Sequence, residues 1–419
     1  MPSAWNGTLF LYSHGYVPPG GPKFAAASPS VDATAWLLGH HFAAAGSSYS
    51  STGWALSDAF TDQITLLDHF EQQVGKPKRV IAWGTSLGGM VTAGLVQLYP
   101  DRFAAAMPMC GVLSGGIATW NLELDAAYAF RTLLAPSSHL QLTHIADPAA
   151  NLQLALDVFN QAAATPAGLA RIALVAALID LPGWFDPRSP EPATNDFAAR
   201  GAAQAMWESR VDFAFAFRYR ADLEQRAGGN PSWNTGVDYA HQLSISPDRD
   251  EVTALYGASG LDLQSDLRAL NSGARVAADP AAAAYLDRNV SFDGQLNIPV
   301  LTMHTTGDGL VIPPNEGAYA NAVSDAGNGA LLRQTFVHRA GHCAFTEAET
   351  VAALQVLLKR LDTGRWDGAA LQPAALNASA LAQGDLENVF FGAATQPAFV
   401  DFSPPPYPRP FAKGASIPA

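Results

Sequence analysis

The sequence predicts an α/β protein: a mostly parallel central sheet flanked by helices, interrupted by one large, mainly helical cap. Three observations carry this. Apolar strand-like runs alternate with helix-period segments over residues 7–110, as a parallel sheet covered on both faces requires. Ala-rich helical stretches then replace the alternation from about residue 112, and it resumes near residue 297. The chain has 419 residues, of which 48% are apolar and 15% charged, enough for a sizeable core plus an insertion and too apolar for extended disorder.

The segment from Gly7 to Ser13 reads as a buried strand that runs into His14-Gly15-Tyr16 and a Pro/Gly-rich loop at 18–22. A helix is expected over 33–45 and a short strand over 47–51. Phe60, Ile64, Leu67, Phe70 and Val74 share one helical face. Residues 79–83 form the next expected strand, a helix follows over 90–99 with Pro100 closing it, and 103–109 reads as a strand. The insertion contains helical stretches at 122–134, 152–163 and 198–226. Its most apolar run, Ile172 to Ile179, lies between Arg171 and Asp180 and is far shorter than the ~20 residues of a membrane span. Strands are expected again at 298–304 and 331–337, then a helix at 347–361. The expected organisation is a core of residues 1–111 and 297–365, a cap of residues 112–296, and a C-terminal extension, 366–419, packed in extended form on the core.

The net charge of −13 repels phosphate backbones and anionic lipid, which argues against nucleic-acid and polybasic membrane partners. His40 and His41 are adjacent and cannot face one ligand from a helix, so they are not expected to bind a metal; no metal and no cofactor are expected. Met1 is followed by Pro2, Ser3 and a strand-like run, without a basic or apolar leader.

The chemistry centres on Gly84-Thr85-Ser86-Leu87-Gly88. A serine between strand and helix sits on a tight, strained turn that presents its hydroxyl, and Gly84 and Gly88 let the two elements approach. The helix start points N–H groups at developing negative charge. Asp308, in Gly307-Asp308 just past a strand, is the candidate acid, with Asp325 as fallback. His342, in Gly341-His342-Cys343, is the candidate base, with His338 as its nearest rival. The backbone N–H groups of Leu87 and Tyr16 are the candidate oxyanion donors. A structural turn remains the alternative for each motif taken singly.

On His14-Gly15, Gly84 to Gly89, Gly307-Asp308 and Gly341-His342, in the order nucleophile, acid, base, the chain resembles the α/β-hydrolase superfamily over about residues 7–110 and 297–362. The resemblance implies a Ser86–His342–Asp308 triad acting through an acyl-enzyme on a small-molecule or polymeric ester with a bulky or lipophilic part. A serine peptidase or amidase of the same fold is the alternative, and a non-catalytic binding module the third reading. Aromatic residues of the cap, such as Trp120, Trp184, Phe185, Trp207 and Phe213, fit either a pocket lining or the cap's own core. Tannases and feruloyl esterases bridge the cysteine after their histidine to one just before the nucleophile, where this chain has Thr85. A Cys110–Cys343 disulfide or two buried thiols are both compatible with the sequence. The cysteines and the resemblance favour an extracellular location, with any signal segment outside this chain. Oligomeric state is not legible.

Overall fold

The computed structural model describes residues 1–384 and 388–418. Two units emerge. Unit 1 comprises Met1–Leu113, Phe292–Thr306 and Asn315–Pro404; unit 2 comprises Ser114–Ser291, Gly307–Pro314 and Pro405–Ala419.

Unit 1 is built on a seven-stranded sheet. Its strands are β1 (Thr8–Ser13), β2 (Ala43–Gly46), β3 (Arg79–Thr85), β4 (Ala105–Met109), β5 (Val300–Gly307), β6 (Leu332–Ala340) and β9 (Phe399–Val400), while β7 (Val389–Phe390) and β8 (Ala393–Ala394) form a separate ribbon. The sheet order is β2-β1-β3-β4-β5-β6-β9. From β2 to β5 every neighbouring pair is parallel. β1 and β4 are buried along their whole length, which explains why they read as continuous apolar runs. The core on this sheet includes Phe10, Tyr12, Ile81, Trp83, Met107 and Leu354. Phe10 and Tyr12 meet Trp83 edge-on, with centroids 5.7 and 5.3 Å apart.

Two boundaries differ from expectation. The first helix covers only Val31–Gly39, and the second strand is Ala43–Gly46, earlier than residues 47–51. Alanine favours helix locally, but parallel pairing of Leu9 to Tyr12 with Ala43 to Gly46 overrides it. Of the extension, residues 366–404 fall in unit 1 and 405–419 in unit 2. It is not extended throughout: it contains a helix, Pro373–Leu381, and β9, which pairs antiparallel with β6. The Asn377 side chain donates to Phe399 O at 3.0 Å and accepts from Phe399 N–H at 2.8 Å.

A disulfide joins Cys110, just past β4, to Cys343, just past β6, with Cα atoms 5.3 Å apart across a sequence separation of 233.

Unit 2 is helical, and its core is aromatic. Phe213 packs against Phe130, Phe159 and Phe217 with centroids 4.7 to 5.7 Å away. Trp120, Trp207 and Phe213 are almost fully buried within unit 2. The helix expected over 198–226 is interrupted. An α-helix, Phe197–Trp207, gives way to wider π-type turns at Glu208–Asp212 and Phe215–Tyr219 before helix Arg220–Ala227. Each wide turn rotates the helical face out of the 3.6-residue period.

Buried charge is this unit's other feature. Arg200 holds Asp248 and Glu251 at 2.5 and 2.8 Å. Asp125, fully buried, accepts two bonds from Arg409 at 2.8 Å, so the last residues of the extension supply its counter-charge. Glu208 is also buried, yet neither of its carboxyl oxygens has a hydrogen-bond partner. Burial pushes the carboxyls of Glu208 and Asp212 well above the ordinary range. The same effect raises Glu123 to about 8 and, with help from Asp248, Asp180 and Glu251 to about 7.

These shifts have a definite sign. A carboxyl whose folded pKa is raised stabilises the fold below its unfolded value, near 4, and that contribution is lost as pH rises through the folded value. Glu208→Gln is therefore expected to raise Tm by more at pH 8 than at pH 5. An equal Tm change at both pH values would contradict the assignment. For the bridge, the Cys110→Ser/Cys343→Ser double variant is expected to lose about 2–5 kcal/mol in denaturant unfolding, and a change below that range would mean that the bridge contributes little.

Candidate active site

Ser86 sits between β3 and the helix Leu87–Leu98 with φ 60° and ψ −127°. A non-glycine residue at positive φ is strained, and here the strain belongs to the turn that separates strand from helix. The surrounding glycines show what makes the turn possible. A Cβ at Gly84 would stand 2.5 Å from Ser13 O and from Gly88 O. One at Gly88 would stand 2.6 Å from His14 O. Only hydrogens fit at either position, so β1, β3 and the helix converge there.

The loop after β1 lies directly on the serine. A Cβ at Gly15 would be 3.2 Å from Ser86 Cβ and 3.7 Å from its Oγ. His14 is buried, its Nδ1 lies 2.7 Å from Gly15 O, and its ring stacks on Tyr49 at 4.0 Å. The Tyr49 hydroxyl donates to His14 O at 3.2 Å. Burial depresses the His14 pKa, so the ring is held neutral. Gln63 donates to Tyr12 O at 2.6 Å and to Ser13 Oγ at 2.9 Å, fixing the end of β1 from the adjacent helix. The Tyr12 hydroxyl meets Thr85 Oγ1 at 2.7 Å, and burial pushes its pKa up to about 12. Tyr16, next in the loop, is half-buried. Leu87 is the first residue of the helix, where N–H groups lack intrahelical acceptors.

The end of β4 connects the serine to the histidine. Ser86 N–H donates to Met109 O at 3.0 Å, and the next residue, Cys110, is bridged to Cys343. Cys110 N–H in turn donates to Met303 O of β5 at 2.7 Å. His342 is half-buried, and its Nε2 lies 3.4 Å from Cys343 Sγ. Thr305 Oγ1 donates to Gly341 O at 2.7 Å. Both bridged cysteines have left-handed backbones, φ 42° and 52°.

A buried ion pair braces the histidine loop from behind. Arg339 binds Glu349 through two bonds of 2.7 and 2.9 Å and donates to Ala344 O at 2.6 Å. Glu349 also accepts from Thr346 N–H at 2.8 Å while Thr346 Oγ1 caps Glu349 N–H, a capping box. The loop from Gly341 to Phe345 thus lies between a strand end and a helix start that are bonded to each other. Sequence reading missed this support, although Thr346-x-x-Glu349 is a legible capping signal. His338, the rival base, lies within β6, is exposed, and has its Nδ1 3.2 Å from Thr306 Oγ1.

Asp308 follows β5 directly and is fully buried in unit 2. Its Oδ1 accepts from Leu310 and Val311 N–H, both at 3.0 Å, so the carboxylate shapes its own turn. Gly309 lies flat on Trp207: a Cβ there would stand 2.5 Å from Cγ and 2.6 Å from Cε2 of the indole. Trp207 Nε1 donates to Trp184 O at 2.9 Å, and Phe185 packs on its ring at 4.8 Å. Asp325, the fallback acid, is not in a loop; it ends the helix Pro314–Asp325 and is exposed. The structure therefore brings Gly15 to Ser86, and Cys110 and Cys343 to His342. Asp308 belongs to unit 2, in a turn whose backbone its own carboxylate caps.

Among the described residues, Cys110, His342 and Cys343 are the one group of three possible metal ligands within 4.8 Å. In the bridged state the two sulfurs are bonded to each other. His40 stacks on Trp36 at 4.3 Å and pairs with its carbonyl. Among the described residues no helix is long and apolar enough to cross a membrane.

The prolyl oligopeptidase family matches residues 40–130, a span containing Ser86 and Cys110. The chain is 33% identical over 345 residues to the o-phthalyl amidase of Xanthobacter agilis, covering 75% of this chain and 74% of that protein. Similar solved structures include an esterase from Aspergillus oryzae (16% identity, 87% of this chain and 76% of that chain, TM-score 0.42). Feruloyl esterase B from Aspergillus oryzae is another (13% identity, 86% and 76%, TM-score 0.37). The chain belongs to the α/β-hydrolase superfamily, within the family that contains the o-phthalyl amidase of Xanthobacter agilis.

Proposed function

We propose that this hydrolase cleaves a carboxylic acyl bond, ester or amide, through an acyl-enzyme on Ser86. The observation that carries the reading is the strained Ser86 turn with the Gly15 loop packed against its Cβ and Oγ. A serine held in this way has its hydroxyl exposed between two sets of backbone donors. His342 takes the Oγ proton as Oγ attacks the carbonyl carbon. Leu87 and Tyr16 N–H groups hold the oxyanion. The proton then passes to the leaving oxygen or nitrogen, and water, deprotonated by His342, releases the acid. Asp308, placed just past β5 and ahead of His342 in sequence, orients and stabilises the imidazolium.

The order nucleophile, acid, base is shared by ester and amide hydrolases of this fold and does not separate them. The amide reading has a specific support of its own, the likeness to an enzyme named as an o-phthalyl amidase across three quarters of this chain. An aromatic acyl group fits both. The cap, residues 112–296, is the proposed seat of substrate choice.

Fluorophosphonate labelling is expected to be stoichiometric in the wild type and absent in Ser86→Ala. Labelling that persists in Ser86→Ala would place the nucleophile elsewhere, and a wild type that is neither labelled nor inhibited would leave only a binding role. Asp308→Asn is expected to lower kcat about 10⁴-fold with little change in KM; an unchanged kcat would remove Asp308 from the triad. Turnover of an o-phthalyl anilide and the matching phenyl ester, compared by kcat/KM, separates the two substrate classes. Anilide turnover within tenfold of the ester marks an amidase, and ester turnover alone marks an esterase.

A further inference from the structure

The bridge and the histidine loop share an arrangement that hydrolysis does not use. Cys110 Sγ, Cys343 Sγ and a ring nitrogen of His342 all lie within 4.8 Å of one another. We infer that, once the Cys110–Cys343 bridge is reduced, Cys110, Cys343 and His342 form a three-ligand site for a borderline-soft divalent cation such as Zn²⁺.

The geometry is close to what the ion needs. With Zn–S near 2.3 Å and Zn–N near 2.0 Å, a tetrahedral centre has S···N edges of about 3.5 Å and an S···S edge of about 3.8 Å. The His342 Nε2 to Cys343 Sγ distance is 3.4 Å, one such edge already in place. The Cα atoms of the two cysteines, 5.3 Å apart, allow the sulfurs to separate to the second edge by side-chain rotation. Two thiolates and an imidazole match Zn²⁺ and Co²⁺ in softness and leave a fourth position for water. Cys343 and His342 are half-buried, while Cys110 is fully buried. The backbone around the site is held by contacts that do not depend on the bridge: Cys110 N–H to Met303 O, Thr305 to Gly341 O, and Arg339 to Ala344 O.

The chemistry balances. A trialkylphosphine with water supplies two electrons and two protons to the S–S bond, giving two thiols and the phosphine oxide. Binding of Zn²⁺ then releases both thiol protons to the buffer, and neutral imidazole donates its lone pair without losing one. An ion so held occupies the lone pair of His342. On the hydrolase reading above, on which this last consequence rests, the metal-loaded reduced form is inactive.

The test uses the full chain, oxidised or reduced with a trialkylphosphine, titrated with Co²⁺ and with Zn²⁺. The reduced chain is expected to bind one Co²⁺ with thiolate charge-transfer absorption, displaced by Zn²⁺. The oxidised chain is expected to show none. Cys110→Ser, Cys343→Ser and His342→Ala are each expected to weaken Zn²⁺ binding at least tenfold after reduction. Zn²⁺ is expected to inhibit the reduced wild type, with recovery in EDTA, and to leave the oxidised enzyme active. Absence of the absorption, or wild-type affinity retained in any of the three variants, overturns the site. Metal binding without any turnover to inhibit would uphold the site and defeat the hydrolase reading instead. If reduction unfolds the chain, Zn²⁺ is expected to restore the folded circular dichroism of the wild type but not of the Cys110→Ser/Cys343→Ser variant; no restoration overturns the proposal.

Discussion

The carboxyl end of β4 is where the unit 1 part of the candidate site is tied together. Met109 O receives the N–H of Ser86, Cys110 N–H is anchored on β5, and Cys110 Sγ is covalently joined to the residue after His342. Three strand ends, β3, β4 and β6, are thereby registered on two consecutive residues. A parallel sheet places all its carboxyl ends on one side, but it leaves the loops beyond them free to wander. Here a hydrogen bond on one side and a disulfide on the other remove that freedom. Close packing of Gly89 on Gly111 adds a third constraint at the same point, since a Cβ on Gly89 would stand 2.7 Å from Gly111 Cα.

Around this point the serine turn and the histidine loop are supported in different ways. The serine turn depends on what is missing: no side chain at Gly15, Gly84 or Gly88, so that backbones meet. The histidine loop depends on what is present: a buried Arg339–Glu349 pair whose remaining hydrogen-bonding capacity is used by Ala344 O, Thr346 N–H and Ala398 N–H. A buried ion pair contributes little net stability unless its spare donors and acceptors are satisfied. This one is satisfied by the loop at Ala344, the helix cap at Thr346 and the extension at Ala398, so the loop's conformation and the pair's solvation are linked. The Asp308 turn follows a third pattern, in which a glycine lies against an indole and a carboxylate caps its own backbone.

The elements with strong periodicity were legible in the sequence. β1, β3 and the helices at 56–73 and 347–363 were found within a few residues, because their apolar spacing and their burial agree. The motif residues were legible because glycine has few reasons to recur at those positions. What escaped was set by long-range pairing. β2 consists of alanines and a glycine that have no strand signal of their own, and only β1 makes them a strand. The π-type turns at 208–212 and 215–219 were invisible because a helix that changes its period still reads as helical locally. The partner of Asp125 could not be inferred, since Arg409 lies 284 residues away in a Pro-rich tail. The Cys110–Cys343 bridge was one of two open alternatives, and spatial proximity alone could choose between them.

β9 stands at one edge of the sheet. β9 is only two residues long, and its outer side is occupied by the Asn377 amide, which bonds both the N–H and the C=O of Phe399 as a further strand would. The amide mimics one peptide unit and then stops. A sheet edge is a template for recruiting other chains, and short, blocked edges are how proteins stay apart. By ending its sheet on a side chain in place of a backbone, this chain keeps neighbouring molecules from extending the ladder at that point.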